Sequence, residues 1–175
     1  MERTMNMDFK TERIENGLRI QHGPLRLDVD SSLALRPALA CGEKHLSPVT
    51  AETPLAPSFG IQLEGLPVTA FRADWERLEV REVSNSLGAG RKVAVYASAV
   101  QYGNALYQPL EISVRLELEF YERFPSALIG SAEFTNLGKR TYKIDRLTGS
   151  HYRLDRRLLD PAAARDRSAK KRFFY

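Results

Sequence analysis

The chain has one cysteine in 175 residues, three histidines and one tryptophan, and it has no long apolar run. Each scarcity narrows the reading. With Cys41 alone, no intrachain disulfide can form, and a reducing compartment is expected. No nucleophile motif surrounds Cys41, which reads as a bystander. His22, His45 and His151 stand at no metal-ligand spacing from one another, from Cys41 or from an acid. Neither a metal site nor a cofactor is expected from them. No apolar stretch approaches the roughly 18 residues of a membrane span. The opening Met1-Glu2-Arg3-Thr4-Met5-Asn6-Met7-Asp8 lacks the apolar core of a secretory signal, so a cytoplasmic protein with no membrane partner is expected.

What is present suffices for one domain with a buried core. The charge is uneven. From Lys139 onward there are twelve Lys or Arg against four Asp or Glu, whereas acids outnumber bases eighteen to fourteen before that point. A basic end can serve a nucleic acid or an acidic partner, but no nucleic-acid fold motif accompanies it. Nucleic acid is therefore not an expected partner, and the basic end reads as a solvated tail or a junction.

The dominant pattern is alternation with period two. Leu25, Leu27 and Val29 alternate with Arg26, Asp28 and Asp30, the signature of a half-buried strand. Leu18 and Ile20 form a partner across Gly23-Pro24. Pro37, Pro48, Pro54, Pro57 and Pro67 point to loops and short edge pieces over 37–67. Trp75, Leu78, Val80 and Val83 give a less regular strand. Ser86-Leu87-Gly88-Ala89-Gly90 reads as a turn before Val93, Val95, Ala97 and Ala99. The clearest strand places Ile112, Val114, Leu116, Leu118 and Phe120 on one face, with Glu111, Ser113, Arg115, Glu117, Glu119 and Tyr121 on the other. A helix would scatter these side chains around its circumference. Phe124-Pro125 ends that strand. Leu128, Gly130, Ala132 and Phe134 share the next face, Asn136 and Gly138 suit a tight reversal, and Tyr142, Ile144 and Leu147 extend beyond it. An antiparallel all-β domain, a β-sandwich, is expected. Residues 1–11 read as a flexible N-terminus, 12–154 as the sandwich, and 155–175 as a basic C-terminal tail or truncated junction. Pro161 would interrupt any helix there, leaving a short irregular or helical segment.

Reactive groups are sparse. Gly88-Ala89-Gly90-Arg91 lacks the lysine-serine pair and following helix of a phosphate loop and reads as a hairpin turn. Glu117 and Glu119 share the wet face of one strand, where a solubilising role outweighs the cleft-bound carboxylate pair of a glycosidase. No catalytic residue is assigned. The aromatics Trp75, Tyr96, Tyr102, Tyr107 and Tyr121 are spread through the sheet region. The segment Val100-Gln101-Tyr102-Gly103-Asn104-Ala105-Leu106-Tyr107 combines rings, an amide and a glycine. Sugars lay apolar ring faces on aromatic rings, so Trp75, Tyr102, Asn104 and Tyr107 are the candidate carbohydrate-contacting residues; ordinary rim packing is the competing reading.

One unit has a recognisable arrangement: a long alternating strand, Tyr121-Glu122-Arg123-Phe124-Pro125, a second strand, Asn136-Leu137-Gly138, then a third. It resembles the amino-terminal β-sandwich domain of melibiase-type α-galactosidases, which share a galactose-mutarotase-like fold. Ser84-Asn85-Ser86-Leu87-Gly88-Ala89-Gly90-Arg91-Lys92-Val93 looks like that family's turn before a strand, and Asn16-Gly17-Leu18 to Asp28 looks like its first hairpin. The resemblance covers most of residues 12–155. It implies a supersandwich-like antiparallel fold, complete or cut short, set before a (β/α)-barrel that carries the catalytic aspartates. In the family this domain is non-catalytic and packs on the barrel, and in some members it helps shape the sugar pocket of a neighbouring subunit. This sequence stops at Phe173-Phe174-Tyr175, about where members continue toward the barrel, so neither aspartate can be placed on it. The implied role is a non-catalytic domain of an α-galactosidase-like glycoside hydrolase, as a truncated or split product. Its partner would be a barrel-bearing protein or another copy of itself. The alternatives are a stand-alone carbohydrate-binding module for a galactoside or oligosaccharide, and a basic-tailed interaction protein.

Overall fold

The computed structural model describes residues 8–41, 44–47, 58–102 and 110–149. Among them there are eleven strands and no helix. The protein is an antiparallel all-β fold of two sheets packed as a β-sandwich.

The first sheet is a five-stranded meander: β1 (Phe9–Ile14), β2 (Gly17–His22), β3 (Leu25–Asp30), β4 (Leu35–Cys41) and β5 (Lys44–Leu46). Its hairpins follow from local chemistry. Gly23 takes φ 54° in the β2–β3 turn, a region open to glycine at little cost. Asp30 closes the β3–β4 turn, its Oδ1 accepting from the Ser32 and Ala34 backbone amides at 2.8 and 3.0 Å. Gly17 lies so close to β3 that an added Cβ would stand 2.0 Å from the Val29 carbonyl oxygen.

The second sheet has β6 (Gly60–Leu63), β7 (Leu66–Asn85), β8 (Gly88–Tyr102), β9 (Ile112–Tyr121), β10 (Ile129–Asn136) and β11 (Ile144–Thr148). Its order is β10-β9-β8-β7-β6-β11. The β7–β8 turn is only Ser86-Leu87, with Gly88 at φ 107°, so the strands reach further into the turn than the sequence pattern indicates.

The core lies between the sheets. Leu18, Ile20, Leu25, Leu27 and Val29 face Val93, Val95, Leu116, Leu118 and Phe120 in one buried cluster. Full burial of each such side chain stabilises the fold by about 1.5–3 kcal/mol. His22 joins the two layers. Its Nε2 lies 3.1 Å from the Tyr121 carbonyl oxygen, and its ring sits against Phe120 and Phe9. Nε2 donates to that carbonyl, and Nδ1 is buried without a hydrogen-bond partner among the described residues.

Two expectations change. Strand β1 begins at Phe9, inside the stretch read as a flexible N-terminus, because the Phe9 ring packs edge-on against Phe120, with centroids 5.7 Å apart. Pro37 lies within β4, between β3 and β5, and not in a loop. It is tolerated because β5 pairs with Leu39–Cys41, and no strand among the described residues pairs with Pro37 on that side, an edge position of the kind expected for proline. The Ser47 hydroxyl donates to the Pro37 carbonyl there. The tail 155–175 lies outside the described residues.

Candidate functional site

The outer face of the six-stranded sheet carries the densest polar chemistry. Register decides which side chains stand abreast. Asp74 pairs with Tyr96, Tyr96 with Arg115, and Arg115 with Glu133, so one row crosses β7, β8, β9 and β10. Two residues along, Ser98 pairs with Ser113 and Ser113 with Thr135, a row of three hydroxyls.

A break in β7 shapes this face. Asp74 pairs with Tyr96 and Glu79 with Ala94, so four residues, Trp75 to Leu78, stand opposite Val95 alone. Such a bulge bends the strand and re-aims its side chains. Arg77, within it, places its guanidinium 4.4 Å from the centre of the Tyr96 ring; that of Arg115 is 6.0 Å away. The Tyr96 hydroxyl donates to Glu79 at 2.9 Å, which fixes the ring. Together these residues line an open depression of about 320 Å³ with Asp74, Ser98, Ser113, Glu133, Thr135 and Leu137 on its walls.

Beside it runs an ionic ladder. Lys92 reaches Glu117 at 3.1 Å and Glu119 at 2.6 Å, and Glu117 also takes Arg115 at 2.6 Å and Arg81 at 3.5 Å. The Tyr121 hydroxyl donates to Glu119 and accepts from Asn85 Nδ2 at 2.7 Å. The hydrogen bond from Lys92, followed by that from Tyr121, holds the Glu119 carboxyl below the usual carboxylate range. The same contacts with Glu119 and Glu117 raise the Lys92 ammonium. These carboxylates are bridged by cations on an open sheet face and do not flank a cleft. The ladder therefore serves to hold β7, β8 and β9 in register.

A second depression, of about 340 Å³, lies on the five-stranded sheet between Glu15, Asn16, Asp28, Asp30 and Arg36. Two of its acids already have structural work. Asp28 takes a two-pronged contact from Arg19 at 2.8 and 3.0 Å, and Asp30 closes its turn. No group of His, Cys, Asp and Glu suited to a metal ion occurs among the described residues.

Of the candidate sugar contacts, only Trp75 has its side chain among the described residues. Trp75 is half-buried against the core, and the guanidinium of Arg13 lies 4.5 Å from its ring. Tyr102 ends β8, but its side chain, together with Asn104 and Tyr107, lies outside the described residues. The Tyr96 depression uses residues that the sequence reading left unassigned: Arg77, Ser98, Ser113 and Thr135. The available signal was three small hydroxyl residues on the polar phases of three successive strands. Compared with known proteins, the chain matches no family model, no curated sequence and no solved structure.

Proposed function

We propose that this chain is the non-catalytic β-sandwich of an α-galactosidase-like glycoside hydrolase, a scaffold against which a catalytic (β/α)-barrel docks. The observation that carries this reading is the unit β9, corner, β10, Asn-x-Gly turn, where the residues bearing the resemblance perform definite structural tasks. Tyr121 ends β9 with its hydroxyl held between Glu119 and Asn85. The corner closes with the Phe124 amide donating to the Tyr121 carbonyl at 2.9 Å. Asn136 shapes the next turn, its Oδ1 accepting from the Gly138 amide at 3.0 Å and its Nδ2 donating to the Arg140 carbonyl at 2.7 Å. Gly138 leaves room there for the Glu111 side chain: a Cβ would stand 2.3 Å from Glu111 Oε2, and that carboxylate would have to move aside.

Co-expression with the isolated barrel of an α-galactosidase tests the scaffold role. The expected outcome is a co-purifying complex that cleaves an aryl α-galactoside faster than the barrel alone, while this chain alone gives no turnover that survives repurification. Absence of a complex and of any rate gain, or turnover by the chain itself, overturns it. A second reading, a carbohydrate-binding module, is favoured by one specific observation: the open polar depression around Tyr96.

A further inference from the structure

We infer that the row Ser98, Ser113 and Thr135 is the floor of a binding trough for a short neutral oligosaccharide, walled by Tyr96, Arg77 and Arg115. This rests on the second reading above and gives it a site, a ligand class and an orientation.

The argument begins with side-chain size. Three small hydroxylated residues lie abreast on β8, β9 and β10, with the bulky row of Tyr96, Arg115 and Glu133 alongside. Neighbouring strands are about 4.8 Å apart, so the floor spans roughly 10 Å, the length of a disaccharide lying across the strands. Leu137 forms the far rim.

The chemistry of the lining points the same way. Serine and threonine hydroxyls both donate and accept, as sugar hydroxyls do. Around them, guanidinium donors from Arg77 and Arg115 alternate with carboxylate acceptors from Asp74 and Glu133. Arg115 is already engaged by Glu117 at 2.6 Å and Glu133 at 3.8 Å, yet its Nε is buried without an acceptor among the described residues. Asp74 Oδ1 accepts the Glu76 amide at 3.2 Å, which anchors the bulge that carries Arg77. With acids and bases balanced in this way, the trough has no excess charge to attract a phosphate or a polyanion, and its carboxylates would repel one. A ligand that is itself a dense mixture of donors and acceptors matches it. The volume of about 320 Å³ falls at the lower end of ordinary ligand sites, which fits a ligand of two sugar units.

Amide-resolved NMR titration of the full chain tests this, with a neutral galactose disaccharide in one arm and digalacturonate in the other. Saturable shifts at Tyr96, Ser98, Ser113 and Thr135 with the neutral sugar, and at least fivefold weaker binding of the acid, are the expected result. Ser113→Val should weaken binding at least tenfold with an unchanged melting midpoint, because valine suits a strand while filling the trough with methyl groups. Ser98→Val, at an exposed position, should act in the same direction if Ser113→Val unfolds the chain. Tighter binding of digalacturonate overturns the neutral-ligand assignment. Native affinity in a valine variant that remains folded overturns the trough. So does a sugar that shifts only residues outside the trough, an outcome that would leave the carbohydrate-module reading standing. A response to neither sugar overturns both the trough and that module reading. None of these results bears on the scaffold role, which the barrel experiment decides separately.

Discussion

At the scale of single residues, neighbours along β9 have opposite surroundings. Leu116 and Leu118 are fully buried, and Glu117 between them keeps about a fifth of its side chain exposed beneath Lys92, Arg81 and Arg115. Leu116→Ala or Leu118→Ala should cost about 2–5 kcal/mol in urea melts, the range for a truncated core leucine. Glu117→Ala should cost less, about 1 kcal/mol, because it leaves three cations crowded together but partly hydrated. That cost should shrink in high salt, whereas the leucine costs should not. The sequence pattern marks the leucines as core, but it reads Glu117 as a solubilising residue. Alternation reports which face a side chain occupies. It does not report which cations the neighbouring strands bring to that face.

Glu119 supplies the acid-limb prediction. Its folded pKa is depressed, so its contribution to stability is fully present above the unfolded value, near the ordinary 4.5, and disappears as pH falls through the lower folded value. Stability should therefore decline below about pH 4.5 as Glu119 loses its pairing. Lys92→Met should flatten that part of the profile while lowering stability at neutral pH. An unchanged acid limb in Lys92→Met, measured as the urea midpoint against pH, would show that the Lys92–Glu119 contact carries none of it.

At the scale of elements, the turn after β10 depends on one side chain. Asn136 bonds both the Gly138 amide and the Arg140 carbonyl, and the Leu137 amide donates to the Glu111 carbonyl at 2.7 Å. Asn136→Ala should cost about 1 kcal/mol and speed hydrogen exchange at Gly138, with β8 and β9 unaffected. Equal exchange in both proteins would mean that the backbone alone sets the turn. The bend at Asn136 and Gly138 was legible, but the tight reversal expected there is not found: β11 does not fold back on β10 and pairs instead with β6, at the opposite edge of the sheet. Strand β7 was only partly legible. Its pairing slips at Trp75–Leu78, so the apolar phase changes within the strand, and Val80 emerges on the exposed side. The hydroxyls show in the sequence only as small polar residues on three strands; that they form one row depends on register, since Ser98, Ser113 and Thr135 become neighbours only when β8, β9 and β10 pair.

At the scale of the whole molecule, the six-stranded sheet ends in β10 on one side and β11 on the other. Ile129 on β10, and Ile144 and Leu147 on β11, are exposed. Edge strands with apolar side chains and unpaired backbone groups favour pairing with another chain. Sedimentation velocity should show concentration-dependent association, reduced by Ile129→Lys or Leu147→Lys. A single monomeric species at the highest accessible concentration would show that these edges are already protected. The two-sheet architecture was legible as a class because alternation recurs along most of the chain. The division into sheets was not, because no local residue marks which strands share a sheet.

The order of strands has a kinetic consequence. Among the described residues, every ladder but one joins strands that are consecutive in the chain, β1 through β5 and then β6 through β10. Loop closure between neighbours is entropically cheap, so each sheet can grow by successive hairpins. The exception is β11, which returns to pair Ile144 with Leu63 and Leu147 with Ile61. That closure spans the longest sequence separation of any ladder among the described residues, so it is entropically the costliest, and it can reopen without breaking any other of these ladders. β11 is thus a latch on the folding pathway, the last strand to be secured and the first whose amides should exchange with solvent.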